Sequence, residues 1–482
     1  MKNGLSRKLW PAWLVLTVLA APLARAQDRA AAPDSAPSND SSRSVCDKAA
    51  AGFFAIPGSD LCLRAGGFAL GQFDFRRLPL SGFGPNPGAS AAAAHPPTPS
   101  SFGAGVAVGV AIDASLLTEA GPVTARVSAS TAVGGGLLSP NPASVYAPGG
   151  VPAGFNPAGV GNFTRLDEAW LRYGGWTVGR THSLFDFYAD AWNMMPLRGS
   201  NARTEQVAWR FSPGRGVEVG VALENNMERR DLIGQAINSA GLADYSGPMV
   251  PDAVAAVRVE NPFGLAQISG AAHELSTRYT APGQPEAASN QWGFAAQGGL
   301  KVNLPSLSDA DAMILQATYA RGAMGYLTGD NQPLFGGVND LGHPGIGIPR
   351  LGAAPGVTSY DYDCVVSATT GRCDKSSGFA IVAAFKHFWT PTVSSSVFAS
   401  FFGTNYSDAA RAGAPGVAGA SNYRETSIGS NLTWAPLKDI QVGGEVAFTQ
   451  GKATPATPPL AAPANLSNAV EWSGRIRVQH NF

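Results

Sequence analysis

The chain has 482 residues with 34 basic and 34 acidic side chains, so its formal charge is zero and no long-range pull toward nucleic acid or acidic lipid is encoded. It is long enough for a large single domain, and its 58 glycines lie well above the ~7% average for globular chains. Beyond the N-terminal segment no apolar run approaches the ~18 residues of a spanning helix; the best candidate, GAGVAVGVAI from Gly103, is short and glycine-rich.

The first element is a targeting segment. Lys2, Arg7 and Lys8 precede an apolar stretch from Leu9 to Leu23, and Ala24-Arg25-Ala26 gives a small-x-small cleavage pattern. This predicts a signal peptide over 1–26, with Gln27 as the first mature residue and export from the cytoplasm. Residues 27–45, small and polar with two prolines, read as a disordered lead-in to a domain over 46–482.

From there the sequence takes on a period of two. Alternation predicts strands near 61–76, 102–114, 122–131, 166–173, 176–181, 203–211, 217–224 and 252–260, and then near 265–274, 292–302, 312–320, 378–389, 392–402, 424–434, 440–449 and 470–482. In QVAWRFSPGRGVEVGVALE, Val207, Trp209 and Phe211 share one face, and the turn Ser212–Gly216 leads into Val217, Val219, Val221 and Leu223. The last strand sets Trp472, Ile476, Val478 and Phe482 on one face against Glu471, Arg475, Arg477 and Gln479 on the other.

The connections alternate strictly. Short ones (GG, SPGRG, NPFG, TP, APLKD) alternate with long ones at 77–101, 132–165, 182–202, 225–251, 275–291, 321–377, 403–423 and 450–469. Structureless loops beyond ~15 residues argue against a compact soluble domain. A transmembrane up-and-down barrel produces this alternation, with an even strand number, an apolar outer face and a polar lumen. The expected fold is therefore all-β: an antiparallel transmembrane barrel of about sixteen strands in the bacterial outer membrane, surrounded by lipid. Tyr173, Trp176, Trp209, Phe211, Trp389, Trp434 and Phe482 lie beside the short turns, where an aromatic girdle belongs.

Four cysteines in an exported chain favour disulfides. Three pairings are open; the local one, Cys46–Cys62 with Cys364–Cys373, closes the shortest loops. A four-cysteine metal site is the rival, and no C-x-x-C spacing supports it. The six histidines have no i,i+4 pair and no H-E-x-x-H, and no G-x-S-x-G is present. GAGVAVG (103–109) has no strand-turn-helix context for a dinucleotide, and its glycines read as positions of close approach. No catalytic residue, metal or cofactor is expected.

The block CDKAAAGFFAIPGSDLCLRAGGF (46–68) resembles the N-terminus of the α-proteobacterial outer-membrane porin family, of the Brucella/Rhizobium general-porin type. Cys46, Gly52, Phe53, Phe54, Ile56, Pro57, Gly58, Ser59, Asp60, Cys62, Leu63 and Arg64 carry the likeness. LDEAWLRYGGWTVGRTHSLFDF (166–187) resembles that family's fourth and fifth strands leading into its constriction loop, and FKHFWTPTVSSSVF (385–398) a later hairpin. Cys364 and Cys373 sit where these porins often carry a loop disulfide. The lead-in and the extended loop 321–377 depart from the pattern. The resemblance implies a homotrimeric, water-filled channel for passive diffusion of small hydrophilic solutes and ions. It also implies that Phe482 is a terminal aromatic read by the outer-membrane assembly machinery, and that the loop after the fifth strand narrows the pore.

That loop, THSLFDFYADAWNMMPLRG, carries Asp186 and Asp190. Arg64, Arg126, Arg172, Arg210 and Arg258 have lumen parity, and Arg180 stands at the loop's base. Carboxylates opposite arginines set a transverse field favouring polar solutes; Asp186 and Asp190 would otherwise cap or pin the loop. Two alternatives stay in view: a substrate-specific channel with a solute-binding site, and a barrel-type outer-membrane enzyme.

Overall fold

The computed structural model describes residues 46, 52–77, 102–136, 161–230, 233–236, 242–246, 250–280, 287–328, 362–367, 372–412, 420–454 and 468–482. The expected signal peptide, the lead-in and much of the long loops lie outside the described residues.

Sixteen strands make the wall: β1 (Leu61–Arg77), β2 (Phe102–Thr118), β3 (Gly121–Gly136), β4 (Gly161–Tyr173), β5 (Trp176–His182), β6 (Arg203–Gly214), β7 (Val217–Glu224), β8 (Asp252–Asn261), β9 (Gly264–Thr280), β10 (Ala287–Asn303), β11 (Ala312–Arg321), β12 (Ser377–Thr390), β13 (Val393–Asn405), β14 (Asn422–Leu437), β15 (Ile440–Thr454) and β16 (Asn468–Asn481). The continuous sheet has eighteen strands, and two of these are the short edge segments Phe54–Ala55 and Leu242–Tyr245. Each wall strand pairs antiparallel with its sequence neighbours. β1 also pairs with β16, Phe68 opposite Asn481 and Arg77 opposite Trp472, which closes the barrel. Closure leaves no unpaired strand edge, the condition for crossing hydrocarbon. Among the described residues no helix is long and apolar enough to span a membrane.

Alternation has a direct structural meaning here. In β11, buried Ala312, Ile314, Gln316, Thr318 and Ala320 alternate with exposed Met313, Leu315, Ala317 and Tyr319. In β16, Trp472, Ile476 and Val478 are exposed outward, while Glu471 and Ser473 are buried inside. The large apolar side chains face out, as the outer face of a membrane barrel requires, and the inner face is small or polar. The aromatics beside the short turns are all exposed, with Phe263 and Leu437 at the same end. Gly174 adopts φ +57° in the β4–β5 turn, a conformation that glycine reaches at no steric cost.

The apolar core lies inside the barrel. Leu184 and Phe185 of the loop after β5 pack with Ala208, Val254, Ala271, Ala295, Met324, Tyr326 and Phe402. Above them Cys364–Ser367 pairs parallel with Ile233–Ala236 and antiparallel with Cys373–Lys375. Disulfides join Cys46 to Cys62 and Cys364 to Cys373, the local pairing.

Candidate functional site: the inward loop and the lumen wall

Residues 183–202 leave the top of β5 and cross the lumen before entering β6. Their path is set by polar side chains of the inner wall. At the near end the Phe185 carbonyl accepts from Gln297 Nε2 at 2.6 Å and Ser269 Oγ at 2.8 Å. Gln316 Oε1 then accepts from the Tyr188 amide at 2.8 Å. At the tip the Glu445 carboxylate accepts from the Met194 and Met195 amides, 2.6 Å each, and Asn431 Nδ2 donates to the Trp192 carbonyl at 2.7 Å. Arg475 of β16 donates to the Met194 carbonyl, and on the return Arg198 pairs with Glu425 at 3.1 Å. Two wall glycines let the loop lie this close: a Cβ at Gly299 would collide with the Phe187 ring, and one at Gly443 with the Met194 methyl.

Asp186 and Asp190 are the loop's own carboxylates. Asp186 pairs with Arg229 at 2.7 Å and accepts from Ser200 Oγ at 2.5 Å and the Ala202 amide at 2.7 Å. Burial works against the Arg229 charge, but Asp186, Tyr326 and Glu224 outweigh it, and the guanidinium pKa rises above the ordinary arginine value. Asp190, at φ +55°, accepts from the Leu197 amide at 2.9 Å and from Asn193 and Asn201 side chains at 2.8 and 3.2 Å. Burial, then the Asp190 charge, push the Tyr188 hydroxyl pKa up.

The loop lies along β9 to β16 and leaves the β1–β4 wall open. There a cavity of about 460 Å³ is lined by Arg64, Asp113, Arg126, Arg165, Asp167 and Glu168, among others. Asp113 accepts from both Arg64 and Arg126 at 2.9 Å. Arg126 also pairs with Glu168 at 2.9 Å, and Arg165 with Asp167 at 2.6 Å. The charges of this wall are thus paired side by side along the wall. Arg172, Arg210 and Arg258 stand nearer the short turns. Arg180 stands apart from them, bonded to Glu205 at 2.6 Å, Glu228 at 3.0 Å and the Leu166 carbonyl at 3.2 Å. Glu205 lies on the outward-facing row of β6 with Val207 and Trp209.

Sequence reasoning did not find the loop's anchors. Glu445, Asn431, Gln316 and Arg229 carry the loop, and their signal was faint: polar residues at inward parity, or, for Arg229, an arginine in a long loop.

A family model described as a porin subfamily matches residues 43–471. The chain belongs to this porin family. No curated protein matches the porin in sequence. Among solved structures it is similar to the outer membrane channel DcaP of Acinetobacter baumannii, at 14% identity and a TM-score of 0.55, over 89% of this chain and 99% of that one. OmpT of Vibrio cholerae, an outer-membrane protein, matches at 8% identity and a TM-score of 0.44, over 89% and 99%. The porin is an outer-membrane channel for passive diffusion of small hydrophilic solutes and ions, and its family and fold are those of a channel.

Proposed function

We propose that this porin is a general diffusion channel whose narrowest passage runs between the inward loop 183–202 and the β1–β4 wall. The observation that carries this is the loop's anchoring across the lumen beside a cavity lined by the β1–β4 wall. Solutes pass Arg64, Asp113, Arg126 and Glu168 together with Arg172, Arg210 and Arg258. A wall of alternating charge holds ordered water, so an apolar solute must give up hydrogen bonds that a polar one replaces. Asp186 and Asp190 act on the passage by shaping the loop, and Arg180 ties the loop's base to Glu205 and Glu228.

In this reading the protein is an α-proteobacterial general porin and works as a homotrimer in outer-membrane lipid. It is exported by its N-terminal segment and handed to the assembly machinery through Phe482; the channel catalyses no reaction.

Liposome swelling tests it. Uptake of neutral sugars should fall smoothly with solute size and ignore stereochemistry. One sugar admitted far faster than isomers of equal size would instead favour a substrate-specific channel with a solute-binding site.

A further inference from the structure

Five lumen cations form a single slanted row. Arg172, Arg210, Arg258, Lys301 and Lys386 stand on β4, β6, β8, β10 and β12, alternate strands that all run toward short turns. The ladder relates each to the next by one rule. Arg172 lies opposite Thr177, Thr177 opposite Ala208, and Arg210 is two residues nearer the turn. Arg210 leads through Gly220 to Ala256, and Arg258 is again two residues on. Arg258 leads through Gln267 to Gly299, two before Lys301. Lys301 leads through Ile314 to Ala384, two before Lys386. Barrel strands tilt and their register staggers, so a constant offset along the ladder keeps a nearly constant height along the axis. The five side chains make an arc at one level of the short-turn half. They face inward, since neighbours such as Leu171, Trp209, Val257 and Leu300 are exposed on the outer face.

This arc is not balanced as the neighbouring cluster of Arg64, Asp113, Arg126 and Glu168 is. Glu218 lies 4.0 Å from Arg210, and Glu260, 68% exposed, lies 3.7 Å from Arg258. Glu168, which also faces Arg172, is bound to Arg126. Among the described residues no carboxylate lies within ion-pair distance of Lys301 or Lys386. Aromatic rings hold two of the cations in place: Arg172 over Trp170 at 4.0 Å and Lys386 over Phe388 at 5.1 Å.

We propose that this belt gives the channel an anion preference and forms a weak subsite for small oxyanions. Guanidinium forks match the paired oxygens of phosphate or carboxylate, and the lysines add point charges. The proposal rests on the pore reading above and adds the solute class.

The test uses the full mature protein in planar bilayers under a KCl gradient, with inorganic phosphate as the oxyanion probe. The wild type should show a reversal potential of anion sign near 0.1 M salt, where the screening length is ~10 Å, and a smaller one at 1 M, where it is ~3 Å. The triple variant Arg210→Gln, Arg258→Gln, Lys301→Gln should lose that preference while keeping stepwise channels. Phosphate added on the short-turn side should reduce chloride current through the wild type and not through the variant. A wild type of cation sign, or a conducting variant with an unmoved reversal potential, overturns the belt and leaves the pore standing. Folded protein without channels removes the pore reading, and the belt with it.

Discussion

The Arg229 guanidinium meets the Asp186 carboxylate at 2.7 Å, with side-chain exposures of 0% and 4%. The pair joins the segment after β7 to the inward loop, and both charged side chains are almost wholly buried. Removing one partner of such a pair costs ~3–5 kcal/mol, because the other charge stays buried without compensation. Asp186→Asn should therefore loosen the loop. Single-channel records should show more open-state noise, and the reversal potential should stay put. A clear shift of selectivity toward anions with quiet channels would place the Asp186 charge in the passage after all.

Glu445 anchors the other end. Two charge-assisted bonds to the Met194 and Met195 amides are worth roughly 1.5–3 kcal/mol each. Glu445→Ala should free the loop tip, raise mean conductance and widen the sugar size limit in swelling assays. Conductance and size limit equal to wild type would show that the tip is held without it.

Phe482 closes the barrel seam. Its amide donates to the Gly67 carbonyl at 3.0 Å, its carbonyl accepts from the Gly67 amide at 2.9 Å, and its ring lies over Gly67. Deleting it removes two of many seam bonds, so channels that do form should conduct normally. Outer-membrane levels, read by heat-modifiable mobility of extracted protein, should fall sharply. Unchanged levels would contradict the assembly role.

The strands were legible because lipid and water impose opposite demands on the two faces of each one. Where that contrast ends, so did the signal. β4 begins at Gly161 and β10 at Ala287, about five residues before the expected starts at 166 and 292, because GNFTR and AASNQ lack a sustained apolar face. The pairing of Cys364–Ser367 with Ile233–Ala236 was not legible, since it joins two long loops by contacts distant in sequence. Lumen parity cannot distinguish an inward polar residue that meets water from one that meets a loop. Glu445, Asn431 and Gln316 were therefore invisible as anchors. The Arg229 partner of Asp186 lies in a stretch with no period at all.

A water-filled passage narrowed by a folded-in loop must carry ions. Single-channel recording in planar bilayers tests it most directly. The mature protein should insert in discrete steps, pass ohmic current, and show conductance rising linearly with KCl concentration. Folded β-barrel protein that gives no steps, or a conductance that saturates with salt, would contradict the account.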